Sequence, residues 1–412
     1  MVELINNPVD ARLQEKLPNR LILILILGSL SAFGPLSMDM YLPALPAVTE
    51  DLHTTASFTQ LSITTCLLGL AVGQLIFGPL SDFQGRRKLL LMTLVLFTLS
   101  SILCAVSSNI WLFVGFRFAQ GCTAAAGIVI SRAATRDIYS GKELTKFIAL
   151  LAMVMGAAPI LSPIIGGLIL QWTNWQTIFY MLAIIGAIMF LAVYFLLPET
   201  LAEEKRTKGN IFAIVTSFGT LLKDRVFIGI AFSQSLISMG MFAYIAASPF
   251  VLQNIYDVSP QQFSFIFAFN GLGIVVMAQL AGRLAGTMDE AKLLFYGITQ
   301  AVVGSVLLLV VTLMTLPLWH MMVALFLVVS SVGIVNTTSF SLAMNRQGER
   351  AGSASALLGI LPFGGGAIVS PLVGIAGEFN AVPMGIVIFA CSLLSFTIYA
   401  SFVKVKIASS FK

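Results

Sequence analysis

Gly78-Pro79-Leu80-Ser81-Asp82-Phe83-Gln84-Gly85-Arg86-Arg87-Lys88 closes one uncharged apolar run, residues 58–80, and opens another, residues 89–107. Each run is long enough to cross the roughly 30 Å hydrocarbon core of a bilayer, since about 20 helical residues at about 1.5 Å each suffice. The segment between them is then a turn at the membrane surface. Gly85 permits the tight reversal, and Arg86, Arg87 and Lys88 hold the turn on the aqueous side.

The same reading extends over the whole chain. Of 412 residues 58% are hydrophobic and only 10% charged, against about a quarter charged in soluble proteins. Mean hydropathy is +0.96. This is the composition of an all-α polytopic membrane protein, in which each span must satisfy its own backbone polar groups. Twelve spans are predicted near 21–42, 58–80, 89–107, 110–131, 147–171, 176–197, 226–251, 262–285, 293–315, 318–344, 353–376 and 382–403. The longest charged interval between spans, 198–225, leaves six on each side. The expected divisions are an amino-terminal segment 1–20, a first six-helix bundle 21–197, a central loop 198–225, a second bundle 226–403 and a tail 404–412.

Basic residues orient these spans. With the amino terminus in the cytoplasm, 22 of the 23 Lys and Arg residues fall on the cytoplasmic side, and the opposite loops, 43–57 and 252–261 among them, carry none. This is the positive-inside pattern, so the net charge of +5 reflects topology rather than a nucleic-acid partner. Both termini are expected in the cytoplasm. The apolar run from Leu21 continues through Pro35 and Met40 without a cleavage site, so the first span should be retained.

Several chemistries are disfavoured. Cys66, Cys104, Cys122 and Cys391 all lie within spans at no metal-ligand spacing, as small buried hydrophobes do. No loop carries a nucleophile and base, a phosphate-binding glycine loop or a metal set, so neither enzyme activity, cofactor nor metal is expected. The sequon Asn336-Thr337-Thr338 is mid-span and is discounted. Two fragments recur across the central loop: Ser162-Pro163-Ile164-Ile165-Gly166 resembles Ser370-Pro371-Leu372-Val373-Gly374, and Gly73-Gln74-Leu75 resembles Ala278-Gln279-Leu280. Such a duplication suits a transporter whose halves rock about a central site.

Two charges lie deep in spans, Asp39 and Arg117. Asp39 is about 27 Å along span one and Arg117 about 10 Å into span four from the other face, so tilt allows them to meet. An intramembrane charge is a functional candidate by default. An arginine approaching in one state and withdrawing in another would load and release a proton on Asp39; a static ion pair is the alternative.

Gly78 to Lys88 resembles the loop 2–3 signature of the major facilitator superfamily. Phe113-Val114-Gly115-Phe116-Arg117-Phe118-Ala119-Gln120-Gly121 resembles its span-four signature, with Phe113 where Leu is usual, and Ser162-Pro163-Ile164-Ile165-Gly166-Gly167 its antiporter signature, with Ser for the first glycine. Asp39-Met40-Tyr41-Leu42-Pro43-Ala44-Leu45-Pro46 and Arg132-Ala133-Ala134-Thr135-Arg136-Asp137 resemble the bicyclomycin-resistance subgroup of drug/proton antiporters. The resemblance implies the major facilitator fold and an exporter of small amphipathic drugs in exchange for protons in a bacterial inner membrane. A metabolite exporter or an uptake symporter is the alternative. It also implies proton coupling at Asp39 and Arg117, and gating by Asp82, Gly85, Arg86 and Arg87, bracing one state against the second half, unless these form only a solvated turn. Gly156, Pro159, Pro163, Gly166 and Gly167 would kink span five and seal the path, or simply pack closely. Phe33, Tyr41, Tyr244, Phe250 and Asn270 are candidate cavity residues, or packing. The expected partners are a small-molecule substrate, protons and membrane lipid, with the chain a monomer.

Overall fold

The computed structural model describes residues 18–206, 221, 223–285, 287–346 and 351–404. Residues 1–17 of the expected amino-terminal segment, 207–220 and 222 of the central loop, 405–412 of the tail, and 286 and 347–350 lie outside the described residues. Among the described residues twelve helices are long and apolar enough to cross a membrane. In the first half they are α1 (Arg20–Asp39), α2 (Ala56–Gln84), α3 (Arg86–Ala105), α4 (Ile110–Ile138), α5 (Gly141–Ile169) and α6 (Trp175–Leu196). In the second they are α7 (Arg225–Phe250), α8 (Pro260–Leu284), α9 (Glu290–Met314), α10 (Leu318–Arg346), α11 (Ala351–Val369) and α12 (Val382–Ile398). Large apolar side chains remain exposed on the outer flanks, among them Leu99, Ile188, Phe195, Phe265 and Leu313. Such a surface is costly in water and well matched to lipid tails, so the chain is a multi-pass membrane protein.

Helix ends differ from the predicted spans for local reasons. α1 stops at Asp39, before the expected residue 42, because Pro43 has no N–H to continue the ladder and disfavours helix at Leu42. The chain passes instead through a 3-10 turn, Leu42–Ala44, into a short helix, Leu45–Asp51. α4 runs to Ile138, well past the expected residue 131, so Arg132, Arg136 and Asp137 stand on helix rather than loop. α11 ends at Val369 and continues as a 3-10 turn, Ser370–Gly374. α5 is unbroken through Pro159 and Pro163.

α2 and α3 are separated by Gly85 alone, at φ 96° and ψ 154°, a conformation that essentially only glycine adopts. A methyl at this position would also sit 2.5 Å from Glu199 Oε2. Gly85→Ala is therefore expected to lower stability by about 1–3 kcal/mol. A detergent-solubilised variant melting with the parent would contradict this.

Packing gathers the helices into two bundles. α2 packs on α4, α3 on α4 and α6, and α1 on α4 and α5; correspondingly α8 packs on α10, α9 on α10 and α12, and α7 on α11 and α12. The bundles meet along two seams, α5 against α8 and α2 against α11. At the end bearing the loop of Arg86, here the basic end, Arg20 pairs with Glu143 at 3.0 Å and ties α1 to the start of α5. Lys146 and then Arg20 hold the Glu143 carboxyl below its usual range.

Candidate functional site

A cavity of about 280 Å³ lies between the bundles, lined by residues of α1, α2, α4 and α5 and of α7, α8, α10 and α11. Methionines (Met38, Met155, Met241) and aromatic rings (Phe242, Phe267, Phe363) make up much of its wall, with Tyr244 and Asn336 as polar points. Asp39 is the one charged side chain among the lining residues. Gly34, Pro35, Met38 and Asp39 reach the cavity together because residues four apart share a helix face. Asp39 is only 2% exposed, and among the described residues its Oδ1 has no hydrogen-bond partner. A buried, unpartnered carboxylate is costly when charged, so it is poised to take a proton or a compensating cation.

Arg117 does not reach it. The two residues form no ion pair, contrary to the expectation that they would meet. Arg117 is fully buried on α4 and donates Nη1 to the Ser37 carbonyl at 2.9 Å and to Gln120 Oε1. Its guanidinium lies 4.4 Å from the ring centre of Tyr41 and 5.5 Å from that of Phe179. Gln120 in turn donates to Ser101 of α3 at 2.8 Å. The physical reason is helix periodicity. Arg117 takes a main-chain carbonyl in the last turn of α1, whereas the Asp39 side chain, two positions and about 200° farther around the helix, projects into the cavity. Arg117 caps one side of the carbonyl end of α1, a favourable place for a cation, and Asp39 faces the cavity on the other.

The expected cavity residues divide. Tyr244 lines the cavity, stacked on Phe267 with ring centres 5.5 Å apart. Asn270 stands behind it, donating to the Tyr244 hydroxyl at 3.0 Å, and is not itself a wall residue. Phe33 is turned away, against Phe97 of α3 at 4.6 Å. Tyr41 is buried among Phe113, Phe179 and Arg117, with its hydroxyl hydrogen-bonded to Ser62. Phe250 is buried in the core rather than in the wall. Phe33 and Phe250 lie on helices that line the cavity, but on other faces, and Tyr41 stands just beyond the end of α1. Asn336, read in the sequence only as part of a discounted sequon, and the three methionines were not singled out as wall residues; a methionine in an apolar span has no pattern to distinguish wall from core.

Gly156 and Pro159 of the α5 motif line the cavity. Pro163 lies farther along α5, one turn before Gly167. A side chain at Gly166 would overlap the Met40 carbonyl of the first half, and one at Gly167 would overlap Ser264 of the second. The first glycine lets α5 close on the end of α1, and the second lets it close on α8.

The gating candidates converge at the basic end of the first half. Arg86 pairs with Asp82 at 2.5 Å and with Asp137 of α4 at 3.0 Å, and donates to Ser81. Arg87 donates to the Tyr194 carbonyl at 2.6 Å. Glu199 Oε1 and Oε2 accept from the backbone N–H groups of Arg86 (2.8 Å) and Arg87 (3.2 Å), an anion seated on the N-terminus of α3. Among the described residues Asp82 pairs within the first half, with Arg86. Glu199 was legible only as the beginning of the linker, since no spacing indicates which helix end a carboxylate will cap.

Two bundles enclosing a cavity whose lining carries one charged side chain among the described residues have the architecture of a membrane transporter. The chain belongs to the Major Facilitator Superfamily, whose sequence profile matches residues 25–371. It is 48% identical over 377 residues to an uncharacterized MFS-type transporter, YdgK, of Bacillus subtilis, covering 91% of this chain and 94% of that one. It is 30% identical to a bicyclomycin resistance protein homolog of Haemophilus influenzae, covering 92% and 95% of the two chains. Its fold matches the solved nucleoside transporter NupG with a TM-score of 0.76 at 11% identity, over 93% of this chain and 100% of that one, a likeness of architecture alone. It is a transporter and not an enzyme.

Proposed function

We propose that this chain is a proton-coupled exporter of small amphipathic, drug-like molecules, seated in a bacterial inner membrane with both termini in the cytoplasm. The observation that carries the reading is Asp39: a carboxylate without a hydrogen-bond partner among the described residues, in a mainly apolar and aromatic cavity between the halves. Such a cavity suits molecules with a large apolar body and few polar groups. Protonated, Asp39 matches the apolar wall; ionised, it requires a cation or water. Substrate arriving from the basic side would displace the proton, and opening on the far side would exchange substrate for a new one. The one-sided distribution of Lys and Arg supports the orientation, and the drug-resistance name of the Haemophilus relative supports the substrate class.

Purified protein in vesicles, with the far end facing an acidic lumen, tests this. A panel of neutral and cationic lipophilic drugs should accumulate in the lumen as protons leave it. Movement of substrate in the same direction as protons, or accumulation indifferent to the pH gradient, would overturn the reading.

A further inference from the structure

Three glutamine side chains donate hydrogen bonds across the two halves among the described residues. Gln60 of α2 donates to the Ala246 carbonyl of α7 at 3.1 Å; Gln253, just beyond α7, donates to the Pro43 carbonyl at 3.2 Å; Gln261 of α8 donates to the Gly167 carbonyl of α5 at 3.1 Å. All three lie at the end opposite the basic loops, where α1 and α5 finish and α2 and α8 begin. No ion pair between described residues crosses the halves anywhere, although the Glu378 carboxylate faces the Ala56 N–H in the same region. The three bonds fall at three different meetings of the halves: α5 with α8, α2 with α7, and the end of α7 with the turn that follows α1.

The backbone is shaped to receive them. Gly167 is among the last carbonyls of α5, which have no partner within the helix, and the N–H of Gln171 turns to Leu168 instead. A side chain at Gly374, beyond α11, would overlap the Gln60 amide, so that glycine leaves room for it. Main-chain carbonyls are fixed by their helices, whereas a glutamine side chain can swing free.

We infer that Gln60, Gln253 and Gln261 form the gate at the far end: three neutral amides that grip carbonyls of the opposite half and must release before the cavity opens on that side. A net hydrogen bond of this kind is worth about fivefold in a two-state population, so three together favour closure by about a hundredfold. That is sufficient to hold the end shut and small enough for substrate or proton binding to reverse. The inference rests on alternating access and not on the proton or the substrate, so it survives even where Asp39 proves not to titrate.

Spin labels at Thr55→Cys and Ala376→Cys, exposed positions on the two halves at this end, read the separation directly. Gln60→Ala, Gln253→Ala and Gln261→Ala should each raise the ratio of long to short distances about fivefold, and the triple variant about a hundredfold. Gln262→Ala is the control, because Gln262 bonds only to Ser259 within its own half and should leave the ratio unchanged. An unchanged distribution in the single variants or the triple variant, or an equal shift in the control, would overturn the gate. If the triple variant does not fold, the three single variants decide the matter by the same readout.

Discussion

Asp39→Asn is expected to uncouple transport from the pH gradient completely. With one proton exchanged per neutral substrate, each pH unit supports about a tenfold accumulation, because 1.4 kcal/mol corresponds to a factor of ten. Two pH units should therefore sustain about a hundredfold gradient in the parent protein and none in the variant. The amide keeps the shape of the side chain and removes a buried unpartnered charge, so folding should be preserved or improved. Substrate binding measured without a gradient separates loss of coupling from loss of the site. Parent-like accumulation in Asp39→Asn would remove this residue from the proton path.

Arg117→Gln is expected to slow transport about tenfold or more while leaving the pH midpoint of substrate-induced proton release within about one unit of the parent. The slowing follows from losing a charge-assisted hydrogen bond to the Ser37 carbonyl, worth about 1.5–3 kcal/mol, on the turn that positions Asp39. The modest midpoint change follows from the absence of an ion pair; a carboxylate beside an arginine changes by about 1–3 units when the arginine is removed. Titration of proton release in both proteins distinguishes a helix-capping arginine from a direct counter-ion. A displacement of two units or more would show that Arg117 approaches Asp39 during the cycle.

The motif at Arg86 shows how far a signature can be read before coordinates. Gly85 was legible as a reversal, and its positive φ is the physical form of that expectation. The partners of Arg86 were not legible as such. Asp82 is close in sequence, but Asp137 comes from a helix that outruns its predicted span, and Glu199 arrives from beyond α6 to cap α3. Which carboxylate completes such a cluster depends on how four helix ends converge.

The sequence by itself determined the twelve membrane-crossing helices, because length and hydropathy suffice when every backbone polar group must be satisfied within its own span. It also determined that Asp39 and Arg117 are exceptional, because charge deep in a span is costly wherever it points. Which way they point was decided only by the tertiary structure. Along a helix apolar on all sides, sequence periodicity does not mark the inward face, so Phe33, Tyr41 and Phe250 could not be told from true wall residues such as Tyr244. Packing of α1 against α3 and α4 on one side and the cavity on the other turned Phe33 and the Ser37 carbonyl toward the bundle and Asp39 toward the opposite half. The glutamines that hold the far end shut were invisible for the same reason: their acceptors are backbone carbonyls, which every residue carries, and only the docking of the two halves selects Ala246, Pro43 and Gly167.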